Sequence, residues 1–301
     1  MILIMDNGNQ IRGDLIQQAT LRSSLLPIPL TLEVNLRVDD SIQAQLKQGK
    51  MLTLASGEKM QIIDSRFARN QVVQDEKQQS VMALTAILDD VAPMSFVRRT
   101  AILAENTSLV AAYRAAGCRL RSVGGDIQAA KFSVFAGQAS TVGIAHVLQE
   151  EAACVMWREG KLMFSRLDDL PSREPIINLP GTGSEDAQNG FQQRHEVPWF
   201  WSTGPDGQAI YGNRDKERSS IWVPKKNVRQ LRNMSKCLIH RKEQKVYYNA
   251  KICAGDTVAY AGRKKPLIVI TAAHIFQGGA GGSEENNQFT KLWLGSLESG
   301  S

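Results

Sequence analysis

The chain is poor in the residues that most often carry chemistry. Its four cysteines, Cys118, Cys154, Cys237 and Cys253, are far apart and form no Cys-x-x-Cys pair. That spacing argues against a disulfide framework or a structural zinc site, and suits free buried thiols in a reducing cytoplasm. Histidine is equally scarce, with four in the chain; His146 sits in a helical pattern with no second ligand at i+4, so it is read as structural. No apolar run reaches membrane-spanning length, and the opening five apolar residues, Met1–Met5, are too few for a signal-peptide core. The expectation is a chain made and folded in the cytoplasm without a membrane span. Gly181-Thr182-Gly183-Ser184, continuing to Gly190, is rich in glycine but has no strand feeding into it and no Lys-Ser/Thr helix after it. A phosphate loop needs both. No cofactor and no metal is expected.

What is present is an ordinary globular composition with a basic balance. Hydrophobic residues make up 43% and charged residues 22%, and 301 residues are enough for two domains, or one domain with an elaboration, each able to bury its own core. The net charge of +6 and pI near 9.2 favour acidic partners or nucleic acid, or a local basic face.

Residues 1–95 read as strands. In Leu30–Arg37, Leu32, Val34 and Leu36 alternate with Thr31, Glu33, Asn35 and Arg37, the period of a half-buried strand. Asp39–Gln48 is a short helical or irregular link. Met51–Leu54 and Met60–Ile63 flank a turn at Ser56-Gly57-Glu58 and read as a hairpin. The polar run 71–80 is expected as a solvated loop, followed by a strand over Val81–Leu88.

Residues 96–170 change character into an α/β unit. Ser108 is placed to cap a helix that Gly117 stops, and Ser140 to cap a second. Ala153–Trp157 and Leu162–Phe164 then flank a turn at Arg158–Lys161. In the third block, 171–276, Trp199-Phe200-Trp201 begins a strand that turns at Pro205-Asp206-Gly207 and returns through Ile210-Tyr211. Such large aromatics fill a core or sit in a subunit contact. Between Arg214 and Lys245 stand eleven Lys/Arg against three Asp/Glu. Lys225, Lys226, Arg229 and Arg232, with Trp199 and Trp201, are therefore the candidate channel or interface residues. The alternative is a nucleic-acid-binding module built on the same 214–245 stretch with Trp222, Tyr247 and Tyr248 nearby, although no recognised nucleic-acid motif accompanies it. Residues 277–301 begin as a flexible Gly-rich tail and then offer Phe289, Leu292, Trp293 and Leu294 for docking on this chain or a neighbour.

Cys237–Phe276 is the best-patterned stretch, with strands separated by turns at Gly255 and Gly262. Its end, Val269–His274, resembles the segment around the catalytic histidine of trypsin-like serine proteases. Those enzymes need an Asp and then a Ser in a glycine-rich loop downstream. No Asp occurs in 275–301, and none of the serines there has a Gly-Asp-Ser-Gly setting. His274 is read as a strand-end residue, and the chain as not an enzyme.

Three stretches together resemble bacteriophage tail baseplate hub proteins, the late-control protein D type and the hub portion of type VI secretion spike proteins. They are Leu25–Glu33 with Leu46–Ile63; Ser140–Leu170 with its Gly160–Phe164 turn and strand; and Leu231–Met234 through Ala254–Val258 to His274. The resemblance implies an α+β, mainly β fold of two small antiparallel β-barrels with an inserted α/β unit. It further implies a virion protein that forms a homotrimeric ring between tail tube and tail tip, around a channel that passes DNA. The partners would be a distal tail or tube protein, a tail spike or fibre, and the tape measure, with transient contact to phage DNA. The chain departs from the spike proteins by lacking an OB-type domain or repetitive β-helix, so a separate spike would be needed.

Overall fold

Alternation of apolar and polar residues dictates most of the architecture, because period two can bury only one face of a strand. Leu30–Val38 shows it directly: Leu32, Val34 and Leu36 are buried while Glu33 and Asn35 are exposed. The computed structural model describes residues 2–299 except 39, 75–76, 182–183, 187–196, 215–217 and 279–287. Apart from the short strand over Ser184–Asp186, the glycine-rich stretches at 181–190 and 278–283 fall largely outside the described residues.

The N-terminal block contains β1 (Leu3–Met5), β2 (Ile16–Ser24), β3 (Leu30–Val38), α1 (Asp40–Gln45), β4 (Met51–Leu54), β5 (Lys59–Gln74) and β6 (Lys77–Leu88). The insert adds β7 (Ile102–Ser108), α2 (Leu109–Ala115), β8 (Val123–Gly124), β9 (Gln128–Val134), α3 (Ser140–Glu150), β10 (Ala153–Arg158) and β11 (Lys161–Arg166). Then come β12 (Pro175–Leu179), β13 (Ser184–Asp186), β14 (Trp199–Thr203), β15 (Ala209–Tyr211), β16 (Ser220–Trp222) and α4 (Val228–Met234). The chain closes with β17 (Lys236–Tyr247), β18 (Thr257–Tyr260), β19 (Leu267–Gln277) and β20 (Gln288–Ser299).

The fold is α+β and mainly β. Its two β blocks are joined edge to edge, because β2 pairs antiparallel with β19 from Ser24↔Thr271 to Gln18↔Gln277. The main ladder therefore runs β1-β4-β5-β6-β3-β2-β19-β20-β17-β13, with β18 on β19 and β12 on β18. One core spans the N-terminal block and the insert, including Leu32, Met60 and Leu88 with Tyr113, Phe132 and Ile144. Tyr113 is fully buried there, donates its hydroxyl to Pro27 O at 2.8 Å and meets Phe164 edge-on at 5.3 Å. A second core lies under the C-terminal strands, with Ile252, Val258, Leu267, Leu292 and Leu294.

Three expectations need correction. The polar run 71–80 is mostly a hairpin rather than a loop: β5 and β6 stay paired at Val73↔Gln78 and Gln74↔Lys77. A ribbon with no apolar stripe leaves no period in the sequence. Ser140 is the first residue of α3, and Ala139 takes the cap position with no side-chain bond. Residues 277–301 are more than a tail, since β20 lies between β17 and β19 and buries Leu292 and Leu294 completely. A strand paired on both edges satisfies its own N–H and C=O groups, which a free tail leaves to water.

Candidate assembly surface

The basic stretch is organised by α4, a helix with a reciprocal cap. Asn227 Oδ1 accepts from Gln230 N at 2.9 Å, and Gln230 Oε1 accepts from Asn227 N at 3.2 Å. The Asn-x-x-Gln spacing that makes this box is itself the local signal of the cap. α4 sits on the C-terminal end of α3. Lys226 Nζ bonds Glu150, Gln230 Nε2 donates to Glu150 Oε2 at 2.9 Å, and Asn233 Nδ2 donates to Glu150 O at 3.1 Å. Arg229 forks onto Glu151, with Nη2 at 2.9 Å from Oε1 and Nη1 bonded to Oε2. Glu151 is almost completely buried, and its bonds hold the Arg229 guanidinium more firmly protonated than usual.

The structure thus separates the predicted residues. Lys226 and Arg229 spend their charge on acidic residues of this chain. Lys225 and Arg232 are exposed, and Lys225 adopts a left-handed backbone with φ of +55°. Farther along, Lys236 pairs with Asp168, and Arg241 with Glu298 at 2.8 Å. Among the described residues, at least Lys226, Arg229, Lys236 and Arg241 are therefore paired within the chain, and phosphate contact would compete with each pair.

Trp199 and Trp201 lie on one face of a small three-stranded sheet ordered β15-β14-β16. Trp201 stands between Tyr211 and Trp222 in register, and Trp199 meets the Tyr211 ring at 6.0 Å. Arg214 lies 5.1 Å over Tyr211, and Trp222 Nε1 donates to Thr203 Oγ1 at 3.2 Å. The alternate residue, Phe200, is buried on the other face against Leu231 and Met234 of α4. Period two thus divides this sheet into an anchoring face and an aromatic outer face. Trp222, which the sequence set beside the basic stretch, and Tyr211, which it placed only in a returning strand, complete that outer face. The strand at 209–211 was legible, whereas the one at 220–222 was hidden by its brevity.

His274 lies inside β19, not at a strand end, and Nδ1 is 3.0 Å from Thr290 Oγ1. Tyr248 meets the imidazole edge-on at 5.8 Å. Burial holds its pKa below the ordinary histidine value, with a backbone hydrogen bond to Ile252 pulling the other way. A hydroxyl and an aromatic edge surround it, the setting of a packed histidine. The ring also borders a cavity of about 680 Å³ where the N-terminal block, the β10–β11 hairpin and the segment around Tyr248 meet. Among the described residues no group of three or more His, Cys, Asp or Glu could hold a metal, and no helix is long and apolar enough to cross a membrane.

No family model matches the sequence, and no curated protein matches it. Solved structures do. The chain is similar to a tail protein from Neisseria meningitidis MC58, with a TM-score of 0.66 at 11% identity, covering 98% of this chain and 95% of that one. It is also similar to the 43 kDa tail protein of prophage MuSo2 from Shewanella oneidensis, with a TM-score of 0.64 at 10% identity and 97% of both chains covered. A third is an E. coli component of the type VI secretion system described as similar to T4 bacteriophage tail proteins gp27 and gp5. There the TM-score is 0.53 at 7% identity, over 93% of this chain and 73% of that one. The class is that of phage tail and spike-hub folds. This chain carries that hub-like fold along almost its whole length.

Proposed function

We propose that the chain is a structural protein of a phage-type tail, a baseplate hub whose copies form a homotrimeric ring between the tail tube and the tail tip. The observation that carries this reading is the likeness to tail proteins, which extends over 98% and 97% of this chain. In this reading residues 1–95 and 171–276, completed by β20, are the two ring-forming units, and 96–170 is the insert between them. The ring would surround a channel through which DNA passes, and the net charge of +6 suits a surface that attracts a polyanion. A tube or distal tail protein, a spike or fibre, and the tape measure are the proposed neighbours. The protein would assemble in the host cytoplasm and end in the virion tail.

Mass measurement of the purified chain across a concentration series tests the reading, together with co-purification of tail proteins expressed beside it. A trimer that captures a tube or spike protein is expected. A monomer at every concentration that binds DNA with steep salt dependence would instead establish the nucleic-acid module.

A further inference from the structure

Five exposed large apolar side chains belong to the insert: Phe96, Val97, Leu103, Phe135 and Val142. Val97 and Leu103 are each 68% exposed, Phe135 60% and Val142 48%. The backbone ties their positions to one another. Leu103 pairs with Ser133 across the β7–β9 ladder, and Phe135, two residues on, continues the Ser133 side by period two. The turn over 135–138, closed by Gln138 N on Phe135 O at 3.2 Å, is held to Arg98 by Arg98 N on Gln138 O at 3.0 Å and Gly137 N on Arg98 O at 2.9 Å. Val97 then bridges Ala139, the cap residue of α3, and Val142 lies in the first turn of that helix. The alternate residues Phe132 and Val134 are buried beneath α3, which presses so closely that a Cβ at Gly143 would lie 2.6 Å from Val134 Cγ2. One side of this sheet is thus core, and the other is open. Apolar surface gathered in this way marks a contact site.

The main chain decides what kind of occupant fits. Among the described residues β7 pairs only with β9, and Ile102–Thr107 make no backbone hydrogen bond beyond that pairing. Natural proteins guard such an edge with lysine, proline, a bulge or a cover. Ile102–Glu105 contains no lysine, arginine or proline, and its register with β9 is regular. The edge ends at Asn106, which has a φ of +48° and no partner in the ladder. A strand laid along Ile102–Glu105 would gain main-chain bonds there, and its alternate side chains would meet Leu103. Charge narrows the occupant further. Arg98 gives its side-chain donors to the carbonyls of Thr100 at 3.3 Å and Ala116 at 3.1 Å, and Arg99 is exposed. Among the described residues neither arginine forms a salt bridge, whereas Glu105 stands opposite Lys131 in the ladder. The rim of the patch is therefore net positive and suits carboxylates.

We propose that the open edge of β7 accepts an extended segment of another protein, apolar at alternate positions and carrying carboxylates where it passes Arg98 and Arg99. The inference goes beyond the ring reading and does not depend on it, because the edge and its rim lie wholly within the insert.

The test uses the full-length chain and short fluorescent peptides of alternating valine and threonine. One peptide ends in paired glutamates, a second in paired lysines, and a third keeps the glutamates but has alternate backbone nitrogens methylated. Anisotropy titrations at low salt should show the glutamate peptide binding about tenfold tighter than the lysine peptide, and the methylated peptide at least about tenfold weaker. Leu103→Lys, checked by thermal melting for an unchanged fold, should weaken the glutamate peptide about tenfold. Arg99→Glu, at another exposed position, should reverse the preference between the two charged peptides, and it carries the test if Leu103→Lys melts early. Hydrogen exchange at the amides of Ile102–Glu105 should slow when the glutamate peptide is bound. No binding of any peptide up to about 1 mM overturns the proposal, and so does binding that Leu103→Lys and Arg99→Glu both leave unchanged. Equal binding of the methylated peptide overturns it too, because the edge then supplies no main-chain bonds. Protection of the Ile102–Glu105 amides that rises with protein concentration alone would assign the edge to a second copy of this chain and overturn it as well.

Discussion

Arg229 places both terminal guanidinium nitrogens on the carboxylate of Glu151, a side chain only 1% exposed. Arg166 adds a second cation at 3.7 Å from Glu151 Oε2 and donates to Glu151 O at 2.8 Å. Breaking a buried pair by removing one partner strands an uncompensated charge, at about 3–5 kcal/mol. Arg229 is half exposed and Arg166 remains, so Arg229→Ala should cost less, about 2 kcal/mol in urea unfolding. A companion change to Glu151→Leu should recover part of that loss. If Arg229→Ala unfolds at the wild-type midpoint, the pair contributes nothing to docking α4.

The sequence reading went furthest where one face is buried and the other is wet, as in β3, the β4–β5 hairpin and the β10–β11 hairpin. It reached the small aromatic sheet only in part: β14 and the return through β15 were legible around the Pro205-Asp206-Gly207 turn, but a three-residue strand such as β16 carries too little alternation to be told from a turn. The basic run appeared there as free charge. Its pairing with Glu150, Glu151, Asp168 and Glu298 depends on residues tens of positions away, and no local pattern encodes such distances. The joining of the two β blocks through β2 and β19 is long-range in the same sense. By contrast, the cap at Ser108 and the glycine turn at Gly255 were local and legible.

Gly255 makes a turn that only glycine suits. Its φ is +85°, its N–H donates to Val269 O at 2.8 Å, and a Cβ there would lie 2.9 Å from Met156 Sδ. The left-handed conformation costs a non-glycine residue about 1–2 kcal/mol. The Met156 side chain can yield, but it is fully buried and yielding disturbs its packing. Gly255→Ala should therefore destabilise by about 2–3 kcal/mol. Gly262→Ala, with a φ of +84° and open space around it, should cost only the conformational part, about 1–2 kcal/mol. Equal losses in thermal melts would show that crowding at Met156 is unimportant.

His274 predicts an acid limb in stability. Its folded pKa lies below the unfolded value of 6.5, so the neutral form is favoured in the fold. Above pH 6.5 its contribution is fully present. As pH falls, the unfolded chain takes the proton first and stability drops, by up to about 1.4 kcal/mol per pH unit, until the folded histidine titrates too. Carboxylates such as Glu243, held low by Lys291, act in a more acidic window. Urea midpoints from pH 7.5 to 5 should fall for the wild type and fall less for His274→Gln. Parallel curves would place the acid sensitivity elsewhere.

The most demanding consequence concerns β20. Leu292 and Leu294 are fully buried, and β20 pairs with β17 from Lys236↔Ser299 to Tyr247↔Phe289 and with β19 from Ile268↔Gly295 to Phe276↔Gln288. Ending the chain at residue 287 removes both leucines from the second core and opens two strand edges. Each lost buried leucine costs about 2–5 kcal/mol, so the pair approaches the whole stability of a typical domain. The shortened chain should be insoluble or lack cooperative melting, since bare edges invite pairing between molecules. Leu292→Ala in the full chain, at about 3 kcal/mol, should remain folded and measurable. Leu297→Ala, on a half-buried side chain, should cost about 1 kcal/mol. A 1–287 chain that melts cooperatively near the wild-type temperature would show that β20 is dispensable, returning 277–301 to the role of a tail.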